Sequence, residues 1–174
     1  MKELFLINVS GQDKPGVTRV VTEVLSTFEV TVLDIGQAVI HDQLNLGILA
    51  AVPDRKNSQA LVSAVQSSLQ ALEMQVMFSP ITEQRYQSWV GQQGKARYIV
   101  TLLARKIEPE HLAAVATVTS EYDLNIDKIV RLSGRMELGE SEQLGRACVE
   151  FSVRGEPKDA VQFKSALLEL ASHY

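Results

Sequence analysis

The 174-residue chain is short of cysteine, of basic charge and of long apolar runs. Its one cysteine, Cys148, excludes an internal disulfide and any cysteine-rich zinc site, and points to a reducing compartment, the cytoplasm. No apolar run approaches the ~18 residues of a membrane-spanning helix. The first ten residues carry Glu3 and a brief apolar stretch, Leu4 to Ile7, unlike a signal peptide. Lys and Arg number 17 against 21 Asp and Glu, a net charge of −4. The deficit is shared: 7 basic and 9 acidic residues up to Lys95, 10 and 12 beyond it. Neither half is a basic arm, which disfavours nucleic acid as a partner. What is present, 45% hydrophobic and 22% charged residues, suits an ordinary globular chain that needs no disulfide or metal staple.

Catalytic patterns are missing as well. The aspartates stand at 13, 34, 42, 54, 123, 127 and 159, and no D-x-D pair exists for an aspartyl-phosphate mechanism. There is no G-x-S-x-G elbow, Walker loop or G-x-G-x-x-G turn. His41, His111 and His173 have no metal-ligand spacing with Cys148 or with carboxylates. The chain itself is therefore expected to have neither a catalytic residue nor a metal or other cofactor.

A repeat organises what remains. Sliding the chain by 94 residues lays Phe5–Val9 on Ile99–Leu103, Pro15 on Pro109, Val21 on Val115, Phe28 on Tyr122 and Ile35 on Ile129, without a gap. The second copy then carries a longer polar hairpin, about Met136 to Gln143. In the first copy, Leu4 to Val9 has strand length and branched side chains. Pro15 stands where a helix can start, and Val17, Val20, Val21, Val24, Leu25 and Phe28 then trace one helical stripe. Val30 to Ile40 reads as a second strand. Leu44, Leu46, Ile48, Ala50 and Val52 alternate as a third. Leu61, Val65, Leu69 and Leu72 mark a second helix, and Met74 to Phe78 a fourth strand closed by Ser79-Pro80.

The order βαββαβ is the ferredoxin-like unit, so the fold class is α+β with two such modules in tandem. They occupy residues 1–80 and 96–174, joined by a polar linker, 81–95, whose Trp89 is expected to dock on a module rather than hang in solvent. Matching Leu61 to Phe163 puts Leu72 on Tyr174. The second module then lacks its last strand, as a truncated piece of a longer protein would. Cys148, in a strand of alternating apolar residues, is expected to be buried; His41 is expected to be a hairpin residue with a structural hydrogen bond.

One turn carries more than folding needs: Ser10-Gly-Gln-Asp-Lys-Pro-Gly-Val-Thr18. Gly11 and Gly16 let a ligand approach the backbone, the helix N-terminus that follows suits a carboxylate, and Asp13 suits an ammonium. Asp34 and Gln37 are placed to complete a lining for a zwitterionic amino acid. The alternative is that Asp13 caps the helix and the glycines only make the turn.

The stretch Asn8 to Thr18 resembles the opening signature of ACT domains, βαββαβ modules that bind amino acids and regulate attached enzymes. Leu33 to Asp42, with Leu44 to Leu49, is similar to the N-terminal region of bacterial phosphoserine phosphatases that carry two ACT domains, and Asn125 to Gly134 resembles their second domain. The resemblance implies a ligand site at Gly11, Gln12, Asp13, Pro15, Gly16 and Val17, with Asp34, Ile35 and Gln37 opposite. It implies L-serine or a similar small amino acid as ligand and a homodimer as assembly. A catalytic domain with a D-x-D nucleophile and magnesium, hydrolysing O-phospho-L-serine, would follow in the full protein. The second copy departs from the pattern: its loop is Arg105-Lys-Ile-Glu-Pro109, and Lys128 and Arg131 replace Asp34 and Gln37. An equivalent second site is therefore not expected, and the basic residues read either as a solvated face or as a docking strand for acidic partners. A rival reading is a stand-alone tandem-ACT sensor, such as the repressor accessory proteins of glycine metabolism.

Overall fold

A computed structural model describes residues 2–134, 146–157 and 159–173. The chain divides into two compact units, Met1–Trp89 and Val90–Tyr174. In the first, β1 (Glu3–Gln12), α1 (Val17–Thr27), β2 (Thr31–Ile40), β3 (Gln43–Val52), α2 (Arg55–Gln70) and β4 (Gln75–Ile81) form one antiparallel sheet of order β2-β3-β1-β4. Alternation does the sorting. Ile7 and Val9 of β1 and Leu44, Leu46, Ile48, Ala50 and Val52 of β3 face both helices. They meet Val17, Val21 and Leu25 from α1 and Leu61, Val65 and Leu69 from α2, and bury them almost completely. Each such leucine contributes roughly 1.5–3 kcal/mol by leaving water. Asp54 starts α2 by accepting from the Asn57 N–H at 2.9 Å.

β4 runs through Ser79 and Pro80 to Ile81, past the point where Pro80 was expected to end it. Proline is tolerated because β4 is an edge strand, whose outer side asks for no N–H. Pro15 precedes α1 rather than opening it; the N-cap is Gly16. The polar join is a helix, α3 (Glu83–Gln93), entered through Thr82, whose hydroxyl accepts from the Arg85 N–H. Its glutamines are sound helix formers, so polarity there signals an exposed helix rather than coil. Trp89 is half-buried, 6.0 Å from the Tyr86 ring, and borders Leu6, Leu49 and Ile81 of the first sheet. It lines a cleft against the first module.

The second unit holds β5 (Arg97–Ala104), α4 (Pro109–Glu121), β6 (Asn125–Arg131), β7 (Ala147–Arg154) and α5 (Ala160–Ala171). Its sheet has order β5-β7-β6. The repeat reaches backbone detail. Bulges fall between Val32 and Asp34 in β2 and between Ile126 and Lys128 in β6. Glu29 and Asp123, which follow the two helices, both take positive φ, 53° and 57°. Val115, Leu124, Val149, Phe151, Val153 and Phe163 form the core, with Tyr98 and Tyr122 rings 5.9 and 5.6 Å from Phe163. Among the described residues β5 is an edge, whereas its counterpart β1 is flanked by β4. The hairpin expected at Met136–Gln143, and Tyr174, lie outside the described residues.

Cys148 is not in the core. Ala147, Val149, Phe151 and Val153 are the buried set of β7, so the intervening Cys148 lies half-buried on the other face. His41 is at the β2–β3 turn with φ 58°, and its Nδ1 lies 2.7 Å from Asp42 Oδ1. Among the described residues no helix is long and apolar enough to cross a membrane.

Candidate functional site

The turn between β1 and α1 is held from two sides. The Asp13 N–H donates to the Asp42 carbonyl at 2.7 Å, tying it to the β2–β3 turn. The Lys14 ammonium donates to the Leu72 carbonyl at 3.2 Å and to Glu73 Oε2 at 2.6 Å, tying it to the turn between α2 and β4. That bond holds the Glu73 carboxyl below its ordinary pKa. The His41 contact, followed by Gln43, does the same for Asp42. Nothing in the sequence around Lys14 marks this role, because its partners lie nearly sixty positions away.

Both glycines are demanded by geometry. A Cβ on Gly11 would stand 2.8 Å from Met74 Sδ, and Gly16 has φ 94°, where side chains are strained. No side chain caps α1 at Gly16, so Asp13 is not a capping residue. Its exposed carboxylate stands near a helix start that carries partial positive charge. Gln12 and Pro15 are exposed beside it. Val17 is buried in the core, so only its backbone faces the turn.

The β2 residues divide. Gln37 pairs with Leu46, on the helix side, and Thr18 Oγ1 donates to Gln37 Oε1 at 2.6 Å. Ile35, opposite buried Ile48, shares that side and is half-exposed. Asp34 pairs with Leu49 and lies on the other face of the sheet. An odd spacing along a strand reverses the face, so Asp34 does not join the turn. It lines a separate cleft with Leu6, Leu49, Ile81, Arg85, Tyr86 and Trp89. The turn thus gathers Gly11, Gln12, Asp13, Pro15, Gly16 and the Val17 backbone, with Gln37 reached through Thr18. An uncapped helix start with partial positive charge, and a carboxylate three residues before it, are the groups that the two charges of a free amino acid call for.

The corresponding turn of the second module is closed. Glu108 accepts from the backbone N–H of His111, and the His111 ring accepts from the Glu108 N–H at 3.2 Å, a reciprocal cap. Lys106 lies 3.6 Å from Glu108, and Arg131 donates to the Gly134 carbonyl at 3.2 Å. Among the described residues no group of three or more His, Cys, Asp or Glu could hold a metal ion.

A family model described as ACT domain matches residues 3–79. The chain is 32% identical over 151 residues to a phosphoserine phosphatase of Streptomyces coelicolor, a match covering 86% of this chain and 33% of that protein. It is 31% identical over 134 residues to phosphoserine phosphatase SerB2 of Mycobacterium tuberculosis, covering 74% and 30%. The chain thus spans about a third of these relatives. Among solved structures, an unknown protein from Galdieria sulphuraria superposes with a TM-score of 0.72 at 16% identity, over 99% of this chain and 94% of that one. A putative glycine cleavage system transcriptional repressor does so with 0.71 at 12%, over 99% and 92%. At such identities the likeness establishes the tandem fold.

Proposed function

We propose that the chain, whose residues 3–79 match an ACT domain model, is the amino-acid-binding regulatory region of a phosphoserine phosphatase and that its ligand is L-serine. The observation that carries this is the match along 86% of the chain to one third of a phosphoserine phosphatase. In that reading the full-length protein hydrolyses O-phospho-L-serine in the cytoplasm, in serine biosynthesis, through a magnesium-dependent domain elsewhere in the polypeptide. This region pairs as a homodimer and reports serine to that domain. The ligand ammonium goes to Asp13 and its carboxylate to the uncapped start of α1, with Gln37 held within reach by Thr18. A short polar side chain suits recognition that runs mainly through backbone groups. The second reading, a free-standing sensor, is kept because a glycine-cleavage repressor shares the whole tandem fold.

Calorimetric titration of the chain with L-serine tests the proposal. Saturable binding abolished by Asp13→Ala is expected. No heat with L-serine, or unchanged binding in that variant, would overturn it.

A further inference from the structure

The outer face of the first sheet carries a cleft that the β1–α1 turn does not use. Helix α3 stands over this face without burying any of its residues, and leaves about 220 Å³ between itself and the strands. That is below the ~300–1,000 Å³ of sites for drug-sized ligands, so it suits a small metabolite. Leu6, Leu49 and Ile81 supply an aliphatic floor; Tyr86 and Trp89, one helical turn apart, supply an aromatic wall. Two charged side chains of opposite sign, Asp34 and Arg85, also line the space. Among the described residues neither takes part in an ion pair. Among the described residues Asp34 accepts only from its neighbour, the Ile35 N–H, at 2.9 Å on Oδ1, which leaves its second oxygen for a ligand.

We propose that this cleft binds a small zwitterion with an aliphatic body, of the size of leucine, its cation on Asp34 and its anion on Arg85. The aliphatic body displaces water from the floor and the aromatic wall, where a polar side chain such as that of serine gains nothing. Filling the gap joins α3 to the sheet, so the ligand also orders the helix that follows the first module. The site is separate from the β1–α1 turn and does not depend on it.

Trp89 is the sole tryptophan, so its emission reads the cleft directly. The test is fluorescence titration of the full chain with L-leucine, with leucinamide, which lacks the anion, and with des-amino leucine, which lacks the cation. A saturable change with L-leucine is expected, weakened about tenfold or more for either analogue and in Asp34→Asn and Arg85→Gln, as loss of one charged hydrogen bond dictates. Both side chains are exposed, so neither substitution threatens the fold. Emission unmoved by L-leucine would overturn the proposal, as would an equal response to either analogue or one that survives both substitutions. Failure of the turn site is read elsewhere, as L-serine leaving the Gly11 and Gly16 amide resonances unmoved.

Discussion

In the first module the helix after the opening strand begins at Gly16, left-handed and with no side chain over it; in the second it begins at Glu108, where carboxylate and His111 ring close the same turn. The surrounding frames match closely, down to a shared bulge and a shared positive-φ residue after the helix. The difference is therefore local. A helix start whose N–H groups are met by its own side chains has little left for a ligand, and one that begins on glycine keeps them available. The two modules share a scaffold and part at the turn before the first helix.

The comparison can be broken most severely in the cores. Leu61 and Phe163 occupy equivalent places, buried at the centre of each module. Phe163→Ala is expected to cost about 3–5 kcal/mol and Leu61→Ala about 2–5 kcal/mol. Each should lower only its own module's transition in calorimetric unfolding; a common shift in both would show that the units do not unfold separately. Next comes Gly16→Ala, which forces a side chain into the left-handed region at about 1–2 kcal/mol. The change at the matching position, Glu110→Ala, meets no such strain, and denaturant midpoints of the two variants measure the contrast. Glu108→Ala removes a cap and should cost about 0.5–2 kcal/mol, whereas Asp13→Ala, which removes none, should stay within about 0.5 kcal/mol. Equal losses would mean that Asp13 caps α1 after all.

The smallest effect is one of pH. Folding lowers the Glu73 pKa from its ordinary 4.5 through the Lys14 hydrogen bond. A lowered carboxyl pKa contributes stability that is whole above the unfolded value and disappears as pH falls through the folded one. The turn should hence keep its tie to Glu73 from neutrality down to about that ordinary value and lose it only in stronger acid. Carboxyl carbon shifts of Glu73, followed beside those of Glu108, measure this. A Glu73 midpoint at or above the ordinary value would contradict the ion pair.

Most of the frame was legible in the sequence because it rests on periodicity. The stripe from Val17 to Leu25 and the alternation from Leu44 to Val52 each report which face is buried, and the repeat carried that reading into the second module. What escaped depended on distant partners or on geometry finer than a pattern. Pro80 looks like a stop until its strand is known to be an edge. The 81–95 join looks like coil because α3 buries none of its side chains fully and so shows no apolar stripe. Cys148 sits among apolar neighbours, yet the buried set of its strand is the alternate one. The turn residues from Gly11 to Gly16 were legible as a group because they are contiguous. That Asp34 and Gln37 cannot share a face is itself in the sequence: two residues three apart on a strand face opposite ways.

Amide chemical-shift mapping of the chain titrated with L-serine tests most directly whether the two turns differ as ligand sites. Saturable shifts are expected at Gly11, Asp13, Gly16 and Thr18, and none over Arg105 to His111, where Glu108 and His111 already close the helix start. Shifts of equal size at both turns, or none at the first, would contradict that difference.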